Sequence, residues 1–430
     1  MGKLAYVVYN RKQHDHLLLR LRDHGVTTMA TIGRTYDADV LGPLHDAGTT
    51  IVPLEGLCNN VDRAQASESA RSRIEQAVQV LKDRPIRIQR DERLPIADDQ
   101  RREALADIEA AMAESAMLLR ALDRFGEQYD VGAYVCSEEY SPLSRVTIQW
   151  ARAHGIPSFH VNHALNLGSQ QIAPKIYGQV YADYVLAPGA RGARSFLSIG
   201  YDPAKVVVAG VPAFDVYAEL TERREEVRRE FRTMCGLRDD CSVVVFALTP
   251  NFEVGTMFAD DIAMQTLRAY AASAKHAIAA GANFAIVMKD RMYSGKVGKA
   301  RIDAVANANG LQVLYATGRP EKVVCAADVV VARDSSMAIE AILCGVPAVN
   351  LWTAANWLEG PYFQGNDGFA QFRTDQTAEL GTEIVRLLAD AEYRSRSVAA
   401  ARVGVADIVH APDGQAAARC ATFITSIASV

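Results

Sequence analysis

A chain of 430 residues, 49% hydrophobic and 23% charged, with a net charge of −5, is too long for one ordinary core and suits two domains of roughly 200 residues each. That balance supplies no basic field for nucleic acid, and no segment offers the roughly 18 consecutive apolar residues needed to span a bilayer. Seven cysteines, scattered and without a C-x-x-C pair, favour reduced thiols in a cytoplasm and argue against a zinc site. Arginines gather at Arg84–Arg93 and Arg223–Arg232, but interleaved acids make both stretches solvated helix faces. The short apolar start, Met1–Asn10, lacks a small-residue cleavage site and reads as a first strand. A cytoplasmic protein without a transmembrane segment is expected, with peripheral membrane contact left open.

Along the chain, short β-rich runs alternate with helical patterns, which predicts parallel sheets covered by helices. The first half offers strands at Leu4–Tyr9, Thr27–Thr31, Thr50–Pro53, Val131–Cys136, Ser158–His163 and Tyr184–Ala187. The stretch Ala64–Gly126 reads instead as one or two long helices interrupted around Pro85–Pro95, a helical insertion in the first domain. An apolar run at Val206–Ala209, closed by Gly210-Val211-Pro212, leads into a charged helix from Glu219 to Arg232 and marks a boundary between domains 1–212 and 213–430. The second half then offers strands at Ser242–Ala247, Asn283–Met288, Gln312–Tyr315, Val329–Ala332 and Ala348–Leu351. The tail, Gln415–Val430, carries Ala416, Phe423, Ile424 and Ile427 at amphipathic helix spacing.

The most specific stretch is Ala327-Asp328-Val329-Val330-Val331-Ala332-Arg333-Asp334-Ser335-Ser336, continuing through Glu340-Ala341 to Gly345-Val346-Pro347. A buried strand ends in a polar turn, a helix starts at the serines, and Gly345-Val346-Pro347 stops it before the next strand. The turn sits at the carboxyl edge of the sheet, where open α/β folds bind ligands. Backbone N–H groups there, with the hydroxyls of Ser335 and Ser336, suit a phosphate, and Glu340, one turn on along the same face, suits a ribose. Taken alone, the turn is explained more simply by a plain helix cap at Asp334 or Ser335.

The pattern A-D-x-x-V-x-x-D-S-S-x-x-x-E-A-x-x-x-G-x-P resembles the donor-site motif of the GT-B superfamily of glycosyltransferases. More narrowly, it is similar to the branch containing UDP-N-acetylglucosamine 2-epimerase, the CDP-glycerol glycerophosphotransferases and bacterial Kdo transferases. A second match, Ala182-Asp183-Tyr184-Val185-Leu186-Ala187-Pro188-Gly189 followed by Gly200 through Asp215, resembles that branch's passage from its last N-domain strand into the linker. The resemblance implies an α/β fold of two Rossmann-like domains facing across a cleft, with acceptor on the N-terminal domain and donor on the C-terminal one. In such folds the last helix often crosses back onto the N-terminal domain; packing on its own domain is the alternative. The helical insertion is not explained by it. Two departures stand out: Ser336-Met337 replaces the epimerases' Gly-Gly, and Met288-Lys289-Asp290-Arg291 replaces a basic-His-Pro element, so that Lys289 and Arg291 would neutralise donor phosphate.

Further site residues follow from position in that fold. Thr249 and Asn251 follow the first C-domain strand, where the branch touches donor phosphate or sugar, and Asn10 and Arg11 follow the first N-domain strand on the acceptor side. Glu138 and Glu139 follow a buried strand, where a carboxylate can take the proton of an acceptor hydroxyl. Backbone alternation lets at most one of them face the cleft, without fixing which. In Phe159-His160-Val161-Asn162-His163, His160 and Asn162 share a face while His163 opens the loop and becomes the rival base. The implied activity is metal-independent, cofactor-free transfer of a sugar from a CMP- or UDP-sugar to a glycan or lipid-linked acceptor, in cell-surface polysaccharide synthesis. A sugar-nucleotide epimerase and a non-catalytic sugar-nucleotide-binding subunit are the alternatives.

Overall fold

In a computed structural model, residues 4–9, 15–32, 38–81, 98–139, 141–162, 165, 181–248, 259–290, 298–315, 319–333, 335–352, 363 and 367–428 are described. The first sheet contains β1 (Leu4–Tyr9), β2 (Thr28–Thr31), β3 (Thr50–Pro53), β4 (Asp130–Cys136), β5 (Ser158–Val161), β6 (Tyr184–Ala187) and β7 (Val206–Val208), in the order β3-β2-β1-β4-β5-β6-β7. The second contains β8 (Ser242–Leu248), β9 (Phe284–Asp290), β10 (Val313–Tyr315), β11 (Val329–Arg333), β12 (Ala348–Trp352) and β13 (Ala370–Arg373), in the order β10-β9-β8-β11-β12-β13. All described pairings are parallel.

Continuous apolar runs form these strands because helices cover both faces. In β8, Val243, Val245 and Ala247 enter one core while Val244, Phe246 and Leu248 enter the other. Two strands depart from the sequence expectation. The Val206 run, read as linker, pairs with β6 as the seventh strand of the first sheet, and the polar segment Ala370–Arg373 pairs with β12 at the opposite edge of the second. Edge strands need only one partner, so the polar β13 leaves no strong apolar signal, while β7 is apolar but only three residues long and runs straight into Gly210-Val211-Pro212. The third difference is that β9 runs on to Asp290, which puts Lys289 inside the strand and not beyond it.

The insertion is a pair of helices, Asn60–Leu81 and Asp98–Gln128. Its base is fastened to the first sheet: Leu122 and Phe125 are buried beside Ile148, and the Trp150 indole donates to Asp123 at 2.9 Å. Asp62 joins the two helices by accepting from both Arg124 Nη atoms at 2.9 Å. The backbone N–H of Asn59 first, then the Arg124 bonds, hold the Asp62 carboxyl below its ordinary range.

The last helix, Ala416–Ala428, lies on the first sheet, with Cys420, Ala421 and Ile424 buried against Tyr6, Leu17, Leu21 and Phe159. Asp215 caps its start, accepting from the Ala416 and Ala417 N–H groups at 2.8 Å. Nearby, Arg191 grips Asp367 through both Nη atoms, and Arg194 meets Asp407 at 2.6 Å. The approach is close enough that a Cβ on Gly189 would lie 2.3 Å from the Ile408 carbonyl oxygen.

The acids of both Ala-Asp motifs turn out to hold strands together. Asp183 accepts from the Ser158 N–H at 3.0 Å and its hydroxyl at 2.7 Å, tying β6 to the start of β5. Asp328 accepts from the Val243 N–H at 2.8 Å and from Arg228 at 2.6 Å, tying β11 to β8. Asp328→Ala would leave the Val243 N–H without its acceptor and Arg228 with the exposed Glu225 in place of Asp328, at a cost of about 1–3 kcal/mol. A urea midpoint that falls accordingly at unchanged m value is the expected result; an unchanged midpoint would contradict this role.

Candidate functional site between the two sheets

Strand order reverses between β1 and β4 in the first sheet and between β8 and β11 in the second. Connections leave such a point toward opposite faces, opening a crevice at the carboxyl ends. Leu165, just past β5, is buried in the same apolar cluster as Tyr217, Ala338 and Ile339, so the carboxyl edge of the first sheet meets the helix that follows β11.

Glu138 lies two residues beyond β4, and its Oε1 accepts from the Tyr9 hydroxyl at the end of β1, 3.2 Å away. This bond bridges the two strands that flank the reversal and leaves the half-buried carboxylate on the crevice. Glu139 goes the other way. It is 4% exposed, accepts from the Tyr181 and Ala182 N–H groups, and has Oε1 3.0 Å from His160 Nδ1. Its backbone carbonyl accepts from Arg145 Nε at 2.8 Å. The neighbouring carboxylates therefore have different surroundings, one at the crevice and one inside the wall. Asn10, Arg11 and His163 lie outside the described residues.

In the second sheet, β11 ends at Arg333, only 3% exposed, and the helix Met337–Leu343 begins after the turn. The helix thus starts one residue after the serines, which have different partners. Ser335 Oγ accepts from the Met337 N–H at 3.3 Å, leaving its own O–H to donate outward. Ser336 Oγ donates to Glu340 Oε1 at 2.9 Å, and the Tyr217 hydroxyl donates to Glu340 Oε2. Burial first, then the adjacent carboxylate, pushes the Tyr217 phenol well above its ordinary range, so it remains a donor. Glu340 is thereby fixed from both oxygens. Lys289, half-buried, stands in one row with Ala247, Ala332 and Asn350, about 10 Å or two strand spacings from the end of β11. Thr249, Asn251, Arg291 and Asp334 lie outside the described residues.

Sequence reasoning missed Tyr9, Tyr217 and Arg333 as site residues. Tyr9 and Arg333 end the strands beside the reversals and were readable by that position; Tyr217 meets Glu340 across 123 residues and carries no linear signal. It also missed a buried group. Cys136 and His160 are direct partners in the β4–β5 register, and with Glu139 their ligand-type atoms lie within 4.8 Å of one another. Scattered cysteine spacing argued against a metal site because the other two members come from a turn and a neighbouring strand.

No protein-family model and no curated protein matches the sequence. Among solved structures, the UDP-GlcNAc 2-epimerase of Neisseria meningitidis bound to UDP-GlcNAc is similar over 99% of both chains, with 12% identity and a TM-score of 0.57. HepE of Anabaena in complex with UDP-glucose is similar over 99% of this chain and 100% of its own, with 11% identity and a TM-score of 0.53. A glycosyltransferase of Rickettsia africae is similar over 99% of this chain and 98% of its own, with 9% identity and a TM-score of 0.55. The likeness is one of fold: the chain has the two-domain α/β architecture of the GT-B branch that its motifs resemble.

Proposed function

We propose that this chain is a glycosyltransferase that carries a sugar from a nucleotide-activated donor on its C-terminal domain to a glycan or lipid-linked acceptor on its N-terminal domain. The observation that carries the reading is Glu340, held by Ser336 and Tyr217 at the strand reversal of the second sheet. A carboxylate fixed in this way can accept from both hydroxyls of a ribose without reorganising. Ser335, one residue before, offers its O–H to phosphate, and Lys289 supplies the positive charge from β9. Glu138, at the facing reversal, takes the acceptor proton as the new glycosidic bond forms and the bond to the nucleotide phosphate breaks. No step of this scheme uses a metal. Tyr9 orients Glu138 by donating to it, in a position from which an acceptor hydroxyl can replace it.

UDP-sugars are the first donors to try, because the epimerase and HepE structures hold UDP-GlcNAc and UDP-glucose; CMP-sugars follow from the motif's resemblance to Kdo transferases. The likeness to the epimerase favours a second reading, epimerisation of a sugar nucleotide, against which Ser336-Met337 stands in place of Gly-Gly. A panel of nucleotide sugars read by thermal shift selects the donor, since a nucleotide that binds the folded state raises the melting temperature. Turnover is then measured with and without a glycan acceptor. Transfer that requires acceptor supports the proposal, epimerisation without acceptor replaces it by the second reading, and binding without either reaction leaves a sugar-nucleotide-binding subunit.

A further inference from the structure

We infer that Cys136, Glu139 and His160 form a buried binding site for a zinc ion in the wall behind Glu138. The inference is independent of the transferase reading. Cys136 and His160 face each other across β4 and β5, and Glu139 folds back over them from the turn after β4. All three are buried, at 0%, 4% and 6% exposure for Cys136, Glu139 and His160. A thiol, a carboxylate and an imidazole within 4.8 Å of one another are a donor set of mixed softness that suits Zn²⁺ and not Mg²⁺ or Ca²⁺.

Two observations point to an ion and not to a plain polar cluster. His160 Nδ1 lies 3.0 Å from Glu139 Oε1 but outside hydrogen-bond alignment, so a buried ring nitrogen sits beside a carboxylate without the bond that would ordinarily join them. That separation is close to the edge of roughly 3.3 Å expected between two ligands held about 2.0 Å from one tetrahedral zinc. In addition, Glu139 is already oriented by the Tyr181 and Ala182 N–H groups, as carboxylate ligands are by their outer partners. The charge also closes. When Zn²⁺ binds, the Cys136 thiol gives its proton to solvent and its sulfur bonds the metal, and the thiolate and the Glu139 carboxylate together cancel the dication. A neutral assembly is what such a buried place tolerates. Three protein ligands leave one tetrahedral position for an oxygen.

The full chain, expressed in zinc-supplemented medium and purified without chelator, tests this. About one zinc per chain that survives dialysis is expected, with an X-ray absorption edge fitting a single sulfur and otherwise nitrogen and oxygen neighbours. Cobalt-loaded protein should show a thiolate-to-cobalt charge-transfer band that Cys136→Ser abolishes and Cys58→Ser preserves, and His160→Gln should lower zinc affinity roughly tenfold or more. Folded wild-type protein with less than about a tenth of a zinc per chain and no charge-transfer band would overturn the inference, as would a band that survives Cys136→Ser. If Cys136→Ser does not fold, the wild-type absorption edge decides alone: no sulfur, or more than one, rejects the site.

Discussion

Glu138→Gln is expected to lower turnover by roughly 10²–10⁴-fold while donor affinity stays within a few-fold. The amide keeps the shape and can still accept from Tyr9, so the crevice survives and only the capacity to take a proton is lost. Glu139→Gln should behave differently, because that carboxylate faces Tyr181, Ala182 and His160 inside the wall. Its amide variant should lower the melting temperature and change turnover far less in the surviving folded protein. His163→Ala, measured in the same assay, examines the rival base at the neighbouring strand end. Near-normal turnover of Glu138→Gln with every accepted donor would make the carboxylate a structural helix-end acid and move the base elsewhere.

Replacing both serines, Ser335→Ala with Ser336→Ala, is expected to weaken donor binding by about 2–4 kcal/mol, or roughly 30–1000-fold, with the fold intact. Each hydroxyl contributes for its own reason. Ser335 has an O–H to offer a phosphate, whereas Ser336 fixes one oxygen of Glu340, so its loss lets the carboxylate swing away from a ribose. Titration calorimetry with UDP and with uridine separates the two: Ser335→Ala should reduce affinity for the nucleotide that carries phosphate, and Ser336→Ala should reduce both. The same nucleotide affinity in the double variant and the wild type would remove the donor assignment from this turn.

The Ala-Asp motifs that made the fold recognisable serve packing: Asp183 and Asp328 hold neighbouring strands, and Asp215 caps the last helix. The aspartates that open both motifs are therefore structural, while Glu340, further along the second, is left for the candidate site. The central strands were legible because a parallel strand covered on both faces must be apolar throughout, as β8 and β11 are. The edge strands were not: β13 is polar, and β7, though apolar, is three residues long, so each is identified by its pairing and not by a long apolar run. Likewise, the sequence alone determined that two carboxylates, Glu138 and Glu139, stand at the end of β4 and that Ser335, Ser336 and Glu340 share a turn and the helix after it, because strand ends and helix spacing are local. Only the tertiary structure decided that Glu139 turns inward while Glu138 remains at the crevice and that Tyr217 meets Glu340: the N–H groups of residues 181 and 182 and a phenol 123 residues away reach these carboxylates only when distant segments pack, and buried polar groups go where their hydrogen bonds can be met.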